Sequence, residues 1–305
     1  MRTDFQQILA TLLAHIIGKP HQLKLAMTCL LAEGHLLIED LPGMGKTTLS
    51  HALARVFNLS YSRIQFTSDL LPADILGVNV FDQQKHNFRF HSGPIFNELI
   101  LADEINRASP KTQSALLEAM EESQVSLDGE THQLPSPFFV IATQNPSYQS
   151  GTYPLPESQL DRFLMRISLG YPSYEAEKQM LTQSSMKPQL QLADTISPVD
   201  LIDYQRQALA VNCADSIIHY ILRLVNKSRE QSAYPQPLSP RASKALLRAS
   251  KAWAFLHDRD YVLPEDVQAV FAAVAEHRLK GVQLEWGEES ALSQQLLDSV
   301  DPLAA

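Results

Sequence analysis

Leu36 to Leu49 reads Leu-Leu-Ile-Glu-Asp-Leu-Pro-Gly-Met-Gly-Lys-Thr-Thr-Leu, and few stretches restrict a fold as tightly. The apolar run Leu36 to Ile38 predicts a strand, and Pro42, Gly43 and Gly45 predict a tight turn. From Thr47 to Val56 the spacing of Leu49, Leu53 and Val56 predicts a helix with one apolar face. Strand, turn and helix with Gly-Lys-Thr at the junction is the context of a phosphate-binding loop. Glycines let backbone N–H groups converge on an anion, and the helix start adds partial positive charge. Pro42, Gly43, Met44, Gly45, Lys46, Thr47 and Thr48 are therefore expected to cradle phosphates. Lys46 would reach the β- and γ-phosphates of ATP, and the Thr47 hydroxyl would ligate Mg²⁺. The usual pattern has glycine six residues before the lysine, where this chain has Asp40. Asp tolerates unusual backbone angles, so the turn is expected to survive.

Leu99 to Ala102 is a second apolar strand, ending in Asp103-Glu104. Hydrolysis of a nucleoside triphosphate needs one carboxylate near the metal and another group to activate water. Asp103 is expected in the first role, mostly through water, and Glu104 in the second.

Around these motifs the chain alternates strands and helices up to Tyr171-Pro172 and is helical afterwards. Helices are expected near 5–17, 20–32, 72–76 and 110–122, and strands near 61–66 and 138–143. A short helix and a final strand fall within 160–169. Two hairpins interrupt the alternation, Val78 to His91 and Val125 to Leu134, the second around the turn dipeptide Asp128-Gly129. Beyond the boundary, placed at Gly170 to Ser173, helices are expected near 173–185, 198–209, 214–229, 240–257, 264–280 and 286–300. Residues 1–171 thus form an α/β nucleotide-binding core and 172–305 an all-α lid.

Composition narrows the setting. A chain of 305 residues with 45% hydrophobic and 19% charged residues is globular. Its formal charge of −9 argues against a broad nucleic-acid or anionic-membrane surface. Cys29 and Cys213 show no metal or redox spacing, no apolar run is long enough to span a bilayer, and a cytoplasmic location is expected. The hairpin histidines His86, His91 and His132 lack metal-ligand spacing. Trp253, Phe255 and Leu256 are expected in the core of a lid helix.

With both nucleotide motifs present the chain resembles the AAA+ ATPases, and longer strings resemble the MoxR family in their helix-2-insert branch. These are Leu101-Ala-Asp-Glu-Ile-Asn-Arg-Ala108, Lys111-Thr-Gln-Ser-Ala-Leu-Leu-Glu-Ala-Met-Glu-Glu122, Ala142-Thr-Gln-Asn-Pro146, Gly151-Thr-Tyr-Pro-Leu-Pro-Glu157 and Leu160-Asp-Arg-Phe163. The likeness is dense from Ile17 to Tyr171 and looser through Ser239-Pro-Arg-Ala242. It implies a P-loop NTPase core with a parallel five-stranded sheet between helices, followed by the helical lid, with ATP in the crevice between them. It also implies that Asn145 is sensor 1 and that Arg241 is sensor 2, reaching the γ-phosphate from the lid. Arg162 matches the arginine finger that enters a neighbouring subunit's site, with Arg107 as competing candidate. The hairpins correspond to those that face the ring's central opening in that branch. A homo-oligomeric ring, expected to be a hexamer, follows from the resemblance, as does a chaperone-like action on client proteins, including partners with a von Willebrand factor A domain. A nucleic-acid motor and a nucleotide-gated scaffold with little turnover are the rivals. Few basic residues on the hairpins, Lys85 and Arg89, oppose the first, and Glu104, Asn145 and Arg162 together oppose the second.

Overall fold

The computed structural model describes residues 1–145, 152–182, 195–230, 234–280 and 291–302. Pro146, Gly151, the last residues of the helix expected over 173–185 and the start of that over 286–300 lie outside them.

The core is a five-stranded sheet in the order β2-β5-β8-β1-β9. Its strands are β1 (Leu36–Glu39), β2 (Tyr61–Gln65), β5 (Leu99–Asp103), β8 (Phe139–Gln144) and β9 (Met165–Ile167), and every pairing is parallel. A parallel sheet covered on both faces needs central strands that are apolar almost throughout, and β1, β5 and β8 alternate between two cores. Leu36, Ile38, Leu99, Leu101, Phe139 and Ile141 face one hydrophobic cluster, while Leu37, Ile100, Ala102, Val140 and Ala142 face the other. The first cluster continues without a break into the lid, through residues such as Leu246, Trp253, Val270 and Phe271.

Because the strands are parallel, the sheet has two chemically different ends. The C-terminal end carries Asp40, Gln65, Asp103, Glu104 and Asn145, and the N-terminal end carries His35, Glu98, Phe138 and Leu164. Everything below depends on which end a residue occupies.

Helices α1 (Thr3–His15), α2 (Pro20–Leu31), α3 (Lys46–Val56), α4 (Pro72–Leu76), α5 (Pro110–Glu122) and α6 (Glu157–Leu160) complete the core. The helices after β9, the region expected as the lid, are α7 (Tyr174–Thr182), α8 (Pro198–Ala210), α9 (Asp215–Glu230), α10 (Pro240–Leu256), α11 (Pro264–Lys280) and α12 (Ala291–Asp298). Trp253, Phe255 and Leu256 are buried as expected. Ser197 and Ser239 cap α8 and α10 by accepting from Asp200 and Ala242 N–H, each followed by proline. Among the described residues no helix is long and apolar enough to cross a membrane.

Both hairpins form: β3 (Gly77–Asp82) with β4 (Asn87–Ser92), and β6 (Gln124–Leu127) with β7 (Glu130–Gln133). They pack as one unit. Phe90 stacks on His132 with ring centroids 4.0 Å apart, and Asn79 Nδ2 donates to Asp128 Oδ2 at 2.8 Å. The opposed pair Phe81 and Phe88 stays exposed on the first hairpin.

Candidate active site

The turn after β1 folds as the glycines demand. Gly43 and Gly45 take φ of +86° and +91°, in the left-handed region where side chains are rarely tolerated. Pro42, Gly43, Thr47 and Thr48 are exposed, Met44 is half-buried, and Lys46 opens α3 with its ammonium turned inward. Lys46 Nζ donates to the Asp40 carbonyl at 2.8 Å and to Asn145 Oδ1 at 3.1 Å. Burial lowers its pKa, opposed by the nearby carboxylates of Asp40, Asp103, Glu104 and Glu39.

Asp40 corrects the expectation that it merely tolerates turn angles. It does not adopt positive φ; its fully buried carboxylate is an anchor. It accepts from Ser168 Oγ at 2.7 Å, Leu169 N–H at 2.6 Å and Gly170 N–H at 3.0 Å, tying the loop to the chain leaving β9.

Asp103 and Glu104 end β5, as the sequence indicates. Thr143 Oγ1 donates to Asp103 Oδ1 at 2.6 Å, and Arg63 binds Asp103 Oδ2 through Nε and Nη2 at 3.2 and 2.7 Å. Glu104 has φ +57°, a left-handed conformation that costs a non-glycine residue roughly 1–3 kcal/mol. Its N–H, donating to Thr143 Oγ1 at 2.9 Å, helps hold it there. Two groups donate to its carboxylate, Asn145 Nδ2 at 2.9 Å on one oxygen and Gln65 Nε2 at 2.9 Å on the other, and Arg107 Nε forms an ion pair with that second oxygen at 3.0 Å. The Asn145 amide thus joins Lys46 to Glu104, its oxygen on the ammonium and its nitrogen on the carboxylate. Arg63, Gln65 and Thr143 were not singled out from sequence. Their signal lies in strand register, since Gln65 pairs with Asp103 across β2 and β5.

Hard oxygen donors suit a magnesium ion, and Thr47 and Asp103 supply a hydroxyl and a carboxylate. The open turn at Gly43 and Gly45, where nothing lies within 4 Å of an added Cβ, fits the phosphates.

Arg241 departs from expectation. Ser239 Oγ, the cap of α10, donates to Asp161 Oδ2 at 3.0 Å. The buried Arg278 of α11 donates to Asp161 Oδ1 at 2.7 Å and to the carbonyls of Phe163 and Leu164. These bonds seat the lid at the N-terminal end of the sheet. Arg241 therefore lies beside Arg162, both paired with Glu121 at the end of α5, and not at the phosphate loop of its own chain. They line a cleft of about 720 Å³ with His35, Leu134 and Leu164, and no residue of the loop borders it. The single crevice expected between core and lid is thus two. The other lies at the loop's end of the sheet, where α7 packs on Gly18 and Lys19 Nζ donates to the Tyr171 carbonyl at 2.6 Å. It opens as a cleft of about 480 Å³ bordered by Ile17, Gly18 and Ser173.

This geometry agrees with what the chain is similar to. Residues 35–165 match the model for the ATPase family associated with various cellular activities (AAA), and residues 226–299 match that of the AAA lid domain. Chaperone MoxR1 of Mycobacterium tuberculosis is 41% identical over 87% of this chain and 72% of its own. The chain belongs to the MoxR family of AAA+ ATPases. YeaC of Bacillus subtilis is 47% identical, covering 90% of this chain and 88% of its own. A crystal structure of a Cytophaga hutchinsonii protein assigned as an ATPase superposes with a TM-score of 0.86 at 36% identity, over 98% of this chain and 94% of that one. Within this MoxR-family chain, Asp103, Glu104, Asn145 and the phosphate loop fall inside the ATPase match, and Arg241 inside the lid match.

Proposed function

We propose that this MoxR-family ATPase hydrolyses Mg²⁺-ATP at the C-terminal end of its sheet, in a ring where each site is completed by the next chain. The observation that carries it is the unbroken chain Lys46–Asn145–Glu104. It connects the group suited to bind the γ-phosphate with the one suited to activate water. Thr47 and Asp103 would hold the magnesium ion, whose charge would offset that of the phosphates. The base would enter the cleft beside Ile17 and Gly18, which Asp40 links to the loop through Gly170.

Arg162 and Arg241 lie at the far end of the sheet, so the site they would serve is a neighbour's, with the Arg241 role moved from its own nucleotide to the adjoining one. Arg107 is ion-paired with Glu104 of its own chain and fits that part less well. A ring, of hexameric size by family resemblance, follows from such pairing. One relative, named as the chaperone MoxR1, supports an action on client proteins, and clients with a von Willebrand factor A domain and a cytoplasmic setting remain part of this proposal.

The test is Mg²⁺-dependent ATPase rate per subunit across protein concentrations. The wild-type rate should climb with concentration. Glu104→Gln should bind nucleotide and lose turnover ~10²–10⁴-fold, and Lys46→Ala should lose binding. Equal ATP affinity in wild type and Lys46→Ala overturns the assignment of the loop. A flat, low rate in wild type favours the gated scaffold, and salt-sensitive DNA binding the nucleic-acid motor.

A further inference from the structure

The cleft at the N-terminal end of the sheet carries more positive than negative charge. Three carboxylates, Glu33, Glu121 and Asp161, face Arg162, Arg206, Arg241, Lys244, Arg248 and Arg278. Asp161 is taken by Arg278 at 2.7 Å, and Glu33 by Arg248 at 3.3 Å. That leaves Glu121 alone to hold two guanidiniums from different domains. Its Oε2 lies 3.1 Å from Arg162 Nη2, and its Oε1 is bonded to Arg241 Nη2. Two further observations say that the arginines are under-served. Arg162 Nε is buried without a hydrogen-bond partner. Arg241 stands in the first turn of α10, which has no acidic residue, so its charge opposes the helix dipole. Glu121 is itself 36% exposed on its side chain, within reach of exchange with an incoming anion.

We propose that Glu121 is a resident counter-ion. It holds Arg162 and Arg241 side by side in the separate chain, and surrenders both when the terminal phosphate of a neighbour's nucleotide enters the cleft. This rests on the reading that the two arginines act on a neighbouring site. A carboxylate bridging two guanidiniums presents paired oxygens to two forks, as a phosphate does with greater charge. The exchange then gives nucleotide-loaded neighbours an advantage over empty ones. Glu121 thereby sets the protein concentration at which turnover begins.

The experiment compares wild type, Glu121→Gln and Arg162→Ala by ATPase rate per subunit against protein concentration in saturating Mg²⁺-ATP. Glu121→Gln should reach half-maximal rate at about tenfold lower protein concentration, the scale of one lost charge-assisted contact. Arg162→Ala should lose the concentration dependence. If it does while Glu121→Gln is unchanged or needs more protein, the counter-ion role is overturned and the neighbour-acting arginines stand. If Arg162→Ala keeps the full dependence, that underlying reading fails and the proposal with it. A second measurement uses the separate chain with its loop disabled. Sodium pyrophosphate should raise the melting temperature of Lys46→Ala/Glu121→Gln and leave that of Lys46→Ala unmoved. Equal response of the two variants also overturns the proposal.

Discussion

Asp40 stands where phosphate loops usually have glycine, and the exchange has a price in one direction only. The residue adopts no conformation that glycine alone could supply, while its buried carboxylate accepts three hydrogen bonds from the segment after β9. Asp40→Gly, which restores the usual motif, should therefore destabilise the protein. Removing the carboxylate strands the buried Leu169 N–H and the half-buried Gly170 N–H, at a cost of about 3 kcal/mol. Chemical denaturation should show the loss as a lower midpoint with unchanged slope, and Asp40→Asn should recover part of it. In the sequence, Lys46 stood out through its loop motif and Asp103-Glu104 through the apolar strand they follow, whereas Asn145 was picked out only by resemblance to the MoxR family. The sequence did not disclose the work of Asp40, since an anchor is defined by its partners, and those are some 130 residues away in the chain.

At the scale of elements, His35 joins three of them just before β1. Its Nδ1 accepts from Val140 N–H of β8 at 3.1 Å, and Nε2 donates to the Met120 carbonyl of α5 at 3.2 Å. Only the neutral ring can do both. Burial pushes its pKa down to about 4, with nearby Arg248 acting in the same direction and the Met120 bond opposing. The unfolded chain, with pKa near 6.5, then binds a proton that the folded chain refuses between those values. Stability should be full above about pH 6.5 and should fall as pH drops toward 4, by about 3 kcal/mol for this residue. The fully buried His277 of α11, also held neutral by burial, adds to the same slope. Unfolding free energy measured at pH 7 and pH 5 should differ less in His35→Gln than in wild type, and an identical pH slope would refute the assignment. The elements themselves were legible. Apolar runs, proline starts and the Asp128-Gly129 turn placed strands, helices and both hairpins within a few residues of where they lie. The joining of the hairpins through Phe90 and His132 was not legible, because ring stacking between distant strands leaves no periodic trace.

The whole molecule was the least legible level. A lid helix beginning at Ser239-Pro240 could be read from the sequence, but the end of the sheet it sits against could not. That is decided by Arg278 reaching Asp161 and the carbonyls before β9. Had the lid docked at the other end, Arg241 would have faced its own phosphate loop. As it stands, loop and arginines are at opposite ends of the sheet. On the proposed function the two defects should cure one another. Lys46→Ala chains lack a working loop but keep their arginines, and Arg162→Ala chains have the reverse. Each alone should be inactive. Mixed in equal amounts they should regain turnover at about one junction in four, the chance that an intact loop meets an intact arginine across a head-to-tail contact. Activity that stays at zero in the mixture would mean that loop and arginines do not meet across chains. On that proposal the same polarity would forbid a closed pair: two such molecules joined head to tail would leave one loop unattended and one pair of arginines idle. Only a circle, or an unending file, leaves no member unserved.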